Sequence, residues 1–210
     1  MTATAKAART LALTPMRHKS VRRSLALTSN APLSGASRAP SECRATPSRA
    51  GSKKAASLPS LPRTLPPAPP SEDLVLELDE LWSFVGKKAS ERWVWIALTR
   101  HTRQVLAYAI GERGERTCRK LWERIPESYK GGYCYSDFWE AYRAIIPEER
   151  YEAVGKESGE LAHVERWNNT LRQRLARFVR KTLSFSKSEE MHEVCLKLFL
   201  HRYHADIILR

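Results

Sequence analysis

Three acids stand where a carboxylate could do chemistry: Asp79 inside the apolar run LVLELDELWSFVG, Asp137 where the apolar run GYCYS stops, and Glu165 within HVERWNN. A charged side chain in an apolar strand needs a compensating partner. Hard divalent cations such as Mg²⁺ or Mn²⁺ take oxygen ligands, commonly a few carboxylates with water and phosphate completing the shell. Two such ions about 4 Å apart can activate the attacking oxygen and stabilise the leaving one in phosphodiester chemistry. Three acids on three separate elements can converge on that pair.

Each acid also has a plainer reading. Glu77 shares the face of Asp79 and is the first substitute for it, while Glu80 points the other way. Asp137 serves equally well as the N-cap of a helix over 138–146, although the C-terminal edge of a strand is where α/β sheets place their sites. Glu165 taken alone reads as a solvated helix acid paired with a nearby arginine. Its place in the order of elements argues for the site. His163 is assigned no role.

The elements that would position these acids are visible in the periodicities. LVLELDELWSFVG, ERWVWIALTR and RQVLAYAIG read as three strands with short turns, an antiparallel meander. A helix over 114–126 ends at Pro126. The short strand GYCYSD, the helix FWEAYRAIIP and the strand YEAVG follow, and a long helix runs over about 162–180. SFSKSEEMHEVCLKLFLHRYH supplies a last helix, with Ser186 and Glu189 as a capping box. Strand-strand-strand-helix-strand-helix-strand-helix is the order of an RNase H-like α/β domain, a mixed sheet flanked by helices.

On the long helix, residues at about 100° intervals separate into faces. Val164, Trp167, Leu171, Leu175 and Phe178 form the core stripe. Glu165, Asn168, Asn169 and Arg172 lie beside it, and Arg177, Arg180 and Lys181 lie farther round as a basic face for phosphate. The stretch 166–187 holds seven basic residues and no acid.

The net charge of +13 points to a polyanionic partner, nucleic acid before membrane. Residues 1–70 carry twelve Lys or Arg against one acid, Glu42, in an Ala/Ser/Arg/Pro-rich context. Such a segment buries too little apolar surface to offset its ordering entropy, so it is expected to be a disordered basic tail. Residues 71–210 form the folded domain, and deleting 1–65 is expected to leave its melting unchanged. The four cysteines lack the close pairs of a structural zinc site, and no run reaches the roughly 20 apolar residues of a membrane span. The expected compartment is the cytoplasm.

The blocks LDELWSFVGKK, YSDFWEAY and HVERWNNTLRQRLARFVRKTLSFSKSEEMHE resemble the catalytic region of bacterial insertion-sequence-1 family transposases over about 74–203. The resemblance implies a DDE triad of Asp79, Asp137 and Glu165, with Arg172 as the basic residue two turns after the glutamate. It implies metal-dependent cleavage at element ends and strand transfer into target DNA, a pair of Mg²⁺ or Mn²⁺ ions, DNA as partner, and a homo-oligomer in the active complex at the bacterial nucleoid. Arg172 would hold phosphate, with Asn168 and Asn169 as backbone contacts. Members of that family carry an N-terminal zinc-binding and helix-turn-helix region, for which residues 1–70 show no sign. The competing reading is an inactive DNA-binding fragment that modulates transposition.

Overall fold

The apolar runs form one five-stranded sheet in the computed structural model, which describes residues 49–209. β1 (Val75–Phe84), β2 (Glu91–Thr99) and β3 (Val105–Gly111) make the expected antiparallel meander. β4 (Tyr133–Ser136) and β5 (Tyr151–Ala153) join parallel to β1 on its other side, giving the order β3-β2-β1-β4-β5. This is the RNase H-like mixed sheet. Its central strand is covered on both faces, which explains why β1 reads as an apolar run broken only by Glu77, Asp79, Glu80 and Ser83.

Alternation along β1 divides the core in two. Leu76 and Leu78 pack with Trp95 and Ala97 beneath α2 (Glu115–Arg124) and α3 (Glu140–Arg143). Leu81 packs on the opposite face with Val94, Ile96 and Leu98, beneath α4 (Ala162–Arg174) and α5 (Glu189–Ile208). Between β1 and β2 the chain reverses at Gly86, whose φ of 74° is the left-handed conformation that glycine adopts without a steric penalty.

Three elements differ from their expected form. α3 is a single turn rather than 138–146, because Asp137 Oδ1 accepts the Trp139 N–H and holds the chain in a turn until Trp139, the N-cap. Pro147 then stops the segment. α4 ends at Arg174 rather than near 180. Leu175 turns extended (φ −122°, ψ 99°), and a 3-10 turn, Ala176–Phe178, sends the Phe178 ring into the core against His192, 4.3 Å between centroids. Leu175 and Phe178 therefore reach the core from a broken helix. α5 is capped by Ser188, which accepts the Met191 N–H, and not by Ser186, whose hydroxyl meets His192 Nδ1 at 2.9 Å.

Most of the expected tail, residues 1–48, lies outside the described residues. The remainder of 1–70 includes two placed elements. α1 (Arg49–Ser57) buries Ala55, and the 3-10 turn Leu61–Thr64 buries Leu61 beside β3 and α5. Thr64 Oγ1 donates to Leu61 O and accepts from His204 Nδ1–H, while His204 Nε2 accepts the Val105 N–H. Because the Val105 N–H can only donate, His204 is the neutral Nδ1–H tautomer. Tyr129 Oη also donates to Pro66 O. No helix of the described residues is long and apolar enough to cross a membrane.

Candidate active site

The parallel pairing of β1 with β4 sets Glu77 opposite Tyr135. Two residues further along, Asp137 leaves the end of β4 beside Asp79. Asp79, Asp137 and Glu80 each bring a carboxylate oxygen within 4.8 Å of the others. Acids so placed disfavour one another's ionised forms. The Asp79 pKa is accordingly pushed up to about 7, chiefly by burial, with Glu80 and Asp137 adding to it. A divalent cation would remove that repulsion, so this donor set of hard oxygens fits Mg²⁺ or Mn²⁺.

Asp79 is tied by Asn168, whose Nδ2 donates to Oδ2 at 2.6 Å, and by its neighbour's Glu80 N–H at 2.8 Å to Oδ1. Asn168 is buried, and its Oδ1 has no hydrogen-bond partner among the described residues. Arg172, one turn further along α4, is half-buried and its Nε is likewise unpartnered. Burial and the neighbouring Arg180 push its pKa down, while Asp79 acts the other way. A half-buried guanidinium without a full set of partners beside an acidic centre suits a phosphate oxygen.

Glu80 is engaged differently. Arg113 donates to its Oε1 from Nε and a terminal nitrogen at 2.8 and 2.6 Å, and Tyr142 Oη donates to Oε2 at 2.9 Å. Burial and Asp137 nevertheless keep the Glu80 pKa raised. The Arg113 guanidinium is stacked between Trp93 and Trp139, 4.7 and 4.2 Å from the ring centroids, and reaches within 4.0 Å of Asp137 Oδ2. Trp93 and Trp139 are far apart in sequence, so this clamp leaves no local signal.

The expected residues are therefore partly gathered. Asp79, Asp137, Asn168 and Arg172 share the site. Glu165 is exposed and outside the close carboxylate cluster, on α4 one turn before Asn168. Asn169 is exposed. The shortened α4 leaves Arg177, Arg180 and Lys181 beyond it, so they form no common helix face. Arg177 donates to Phe185 O at 3.2 Å, whereas Arg180 and Lys181 are exposed. Glu77 does not substitute for Asp79. It is fully buried and bound to Arg100 and to the start of α4. One sequence signal points there: GELAHVE opens a helix with no capping side chain, which requires an acceptor from elsewhere.

A central strand carrying an acid beside a second acid at the end of its parallel neighbour defines an RNase H-like domain with a carboxylate centre. The pattern of the IS1 transposase family matches residues 73–205, and the chain belongs to that family. It is similar to the insertion element iso-IS1n protein InsB of Shigella dysenteriae, 40% identical over 130 residues that cover 62% of this chain and 96% of the relative. The insertion element IS1 protein InsB of Shigella flexneri is 34% identical over 128 residues, 61% of this chain and 95% of its own. The insertion element IS1 4 protein InsB of Escherichia coli (strain K12) is 33% identical over 137 residues, covering 64% and 80%.

Proposed function

We propose that this transposase-family chain cleaves DNA at the ends of an insertion element and joins the freed 3′-hydroxyl to target DNA, with Asp79, Asp137 and Glu165 as ligands of divalent metal. The observation that carries the reading is the pairing of Asp79 with Asp137, a proximity that burial makes costly without a cation. When bound, Mg²⁺ or Mn²⁺ supplies charge stabilisation at the attacking and leaving oxygens. Glu165, exposed on α4 one turn before Asn168, is the third ligand, drawn to the pair when the ion binds.

The other side chains orient and bind. Asn168 fixes the Asp79 carboxylate. Arg113, stacked between two indoles, holds Glu80 and faces Asp137, so Glu80 serves as its anchor and not as a free ligand. Arg172 takes a phosphate oxygen next to the reacting one, and exposed Arg180 and Lys181 take flanking phosphates, with Asn169 near the backbone. The partner is DNA, the active complex a homo-oligomer, and the compartment the cytoplasm, where the chromosome is reached.

The test is strand transfer on element-end DNA with Mg²⁺ or Mn²⁺, using Asp79→Asn, Asp137→Asn and Glu165→Gln. Each is expected to lose activity by at least about a hundredfold, in the range of lost charge stabilisation at a reacting centre, while remaining folded. Near-normal turnover in any one removes that residue from the ligand set. Inactivity of the wild type with DNA binding retained would favour a regulator of transposition.

A further inference from the structure

We infer that Glu77 is a positioning residue that sets where Glu165 stands relative to Asp79; this rests on the ligand role proposed for Glu165. A helix start leaves N–H groups without intrahelical partners. The N-cap of α4 is Leu161, which offers no side-chain acceptor. Glu77 supplies one from the sheet. Its Oε2 accepts the His163 and Val164 N–H groups, both at 3.0 Å. Its Oε1 accepts from His163 Nδ1 and Arg100 Nε, each at 2.8 Å. The carboxylate is fully buried, with both oxygens occupied. A negative charge at a helix N-terminus is also favoured by the helix dipole.

Two residues further along the same face of β1, Asp79 accepts from Asn168. The backbone of β1 rises by about 6.8 Å from Glu77 to Asp79, and α4 rises by about 6.8 Å between the 163/164 pair and Asn168. The two spacings match. α4 is therefore held to β1 at two points that bracket Glu165, one fixing its height and the other its rotation. Arg100 extends the hold to the preceding loop, donating to Glu160 O at 2.6 Å and pairing with its carboxylate at 2.7 Å. Glu77 touches none of the reacting atoms, and it acts through the helix.

In Glu77→Gln one side of the side chain turns from acceptor to donor, so either the helix N–H groups or the Arg100 and His163 donors lose their partner. The full-length chain is titrated with Mn²⁺ by calorimetry, with circular dichroism reporting the folded fraction and strand transfer followed against Mn²⁺ concentration. Glu77→Gln and Glu165→Gln are each expected to weaken Mn²⁺ binding about tenfold, and Glu77→Gln to recover part of its lost strand transfer at high Mn²⁺. Glu77→Asp, which keeps the charge on a shorter arm, should fall between it and wild type. If Glu77→Gln does not fold, His163→Ala decides, since it removes one of the two donors to Oε1 and keeps the backbone N–H bonds; a two- to fivefold weakening is expected. Unchanged Mn²⁺ affinity in the folded variant, or an activity loss that follows only the folded fraction, overturns the inference. Unchanged Mn²⁺ affinity in Glu165→Gln instead removes Glu165 as a ligand, and the role of Glu77 falls with it.

Discussion

Asn168 Nδ2 donates to Asp79 Oδ2 at 2.6 Å, joining α4 to the central strand at the acidic centre. Asn168→Asp places a carboxyl group where Asp79 has its donor, and the pair then retains a proton into the neutral range. A group whose folded pKa is raised loses stability as pH rises. The variant is expected to match wild type near pH 5 and to melt several degrees lower at pH 8 in chelator. Added Mn²⁺ should close the gap. Thermal unfolding at the two pH values, with and without metal, tests this.

Asp79 itself yields a second pH dependence. Its pKa rises from 3.8 to about 7 on folding, so the folded state holds the extra proton between those values and loses stability as pH climbs through them. In chelator, Asp79→Asn should therefore gain stability over wild type from pH 4 to about 7 and hold a constant advantage above. Parallel melting curves across that range would refute the raised pKa.

His204 works in the opposite direction. Burial, with a small contribution from His201, lowers its pKa from 6.5 to about 4, so the unfolded chain takes up the proton first and stability falls as pH drops from 6.5 towards 4. His204→Phe is expected to flatten that part of the pH profile. It should also cost about 1–3 kcal/mol at pH 7 by leaving the Val105 N–H without its acceptor. Chemical denaturation at pH 7 and pH 5 measures both effects.

Truncation separates the placed part of the N-terminal segment from what precedes it. Deleting 1–65 removes Ala55, Leu61 and the Thr64 bridge to His204, and should lower the melting temperature by several degrees. Deleting 1–48 leaves that packing in place. Equal melting of the two truncations would show that the docked segment contributes nothing.

The basic residues after α4 divide by environment. Arg180→Gln with Lys181→Gln should flatten the slope of log affinity against log salt by about 2 on duplex DNA, roughly 0.9 for each phosphate no longer neutralised. Arg177→Gln should leave the slope unchanged and lower the melting temperature, since its guanidinium holds Phe185 O. A slope that responds to Arg177 alone reverses the assignment.

Much of this architecture can be read from its apolar patterns, because strands buried on one face alternate and strands buried on both read as short apolar runs bounded by turns. The meander, the return to β4 and the place of Asp79 and Asp137 all follow from it. Periodicity overextends α4, because Leu175 and Phe178 keep helical spacing yet reach the core from a chain that has already turned extended at Leu175. Ser186 has the spacing of a cap, and the sequence does not show that a buried His192 needs its hydroxyl. Alternation turns Glu80 away from Asp79 and so hides its importance. That turn is what delivers it to Arg113 and Tyr142, partners found only after folding.

Asp79 lies on β1 and Asp137 directly follows β4, each two residues beyond the last paired position, Glu77 opposite Tyr135. Up to that position peptide hydrogen bonds hold the two strands at the interstrand distance, about 4.8 Å. Repacking the core can tilt the strands that carry the two acids but cannot spread them apart. Any adaptation to an ion of different radius would have to come from the helical layer, through the angle at which α4 rests on the sheet. The sheet thus acts as a fixed ruler and the helix as the adjustable jaw, and variation that tunes ion preference in relatives is expected to gather where α4 meets β1 and not within the strands.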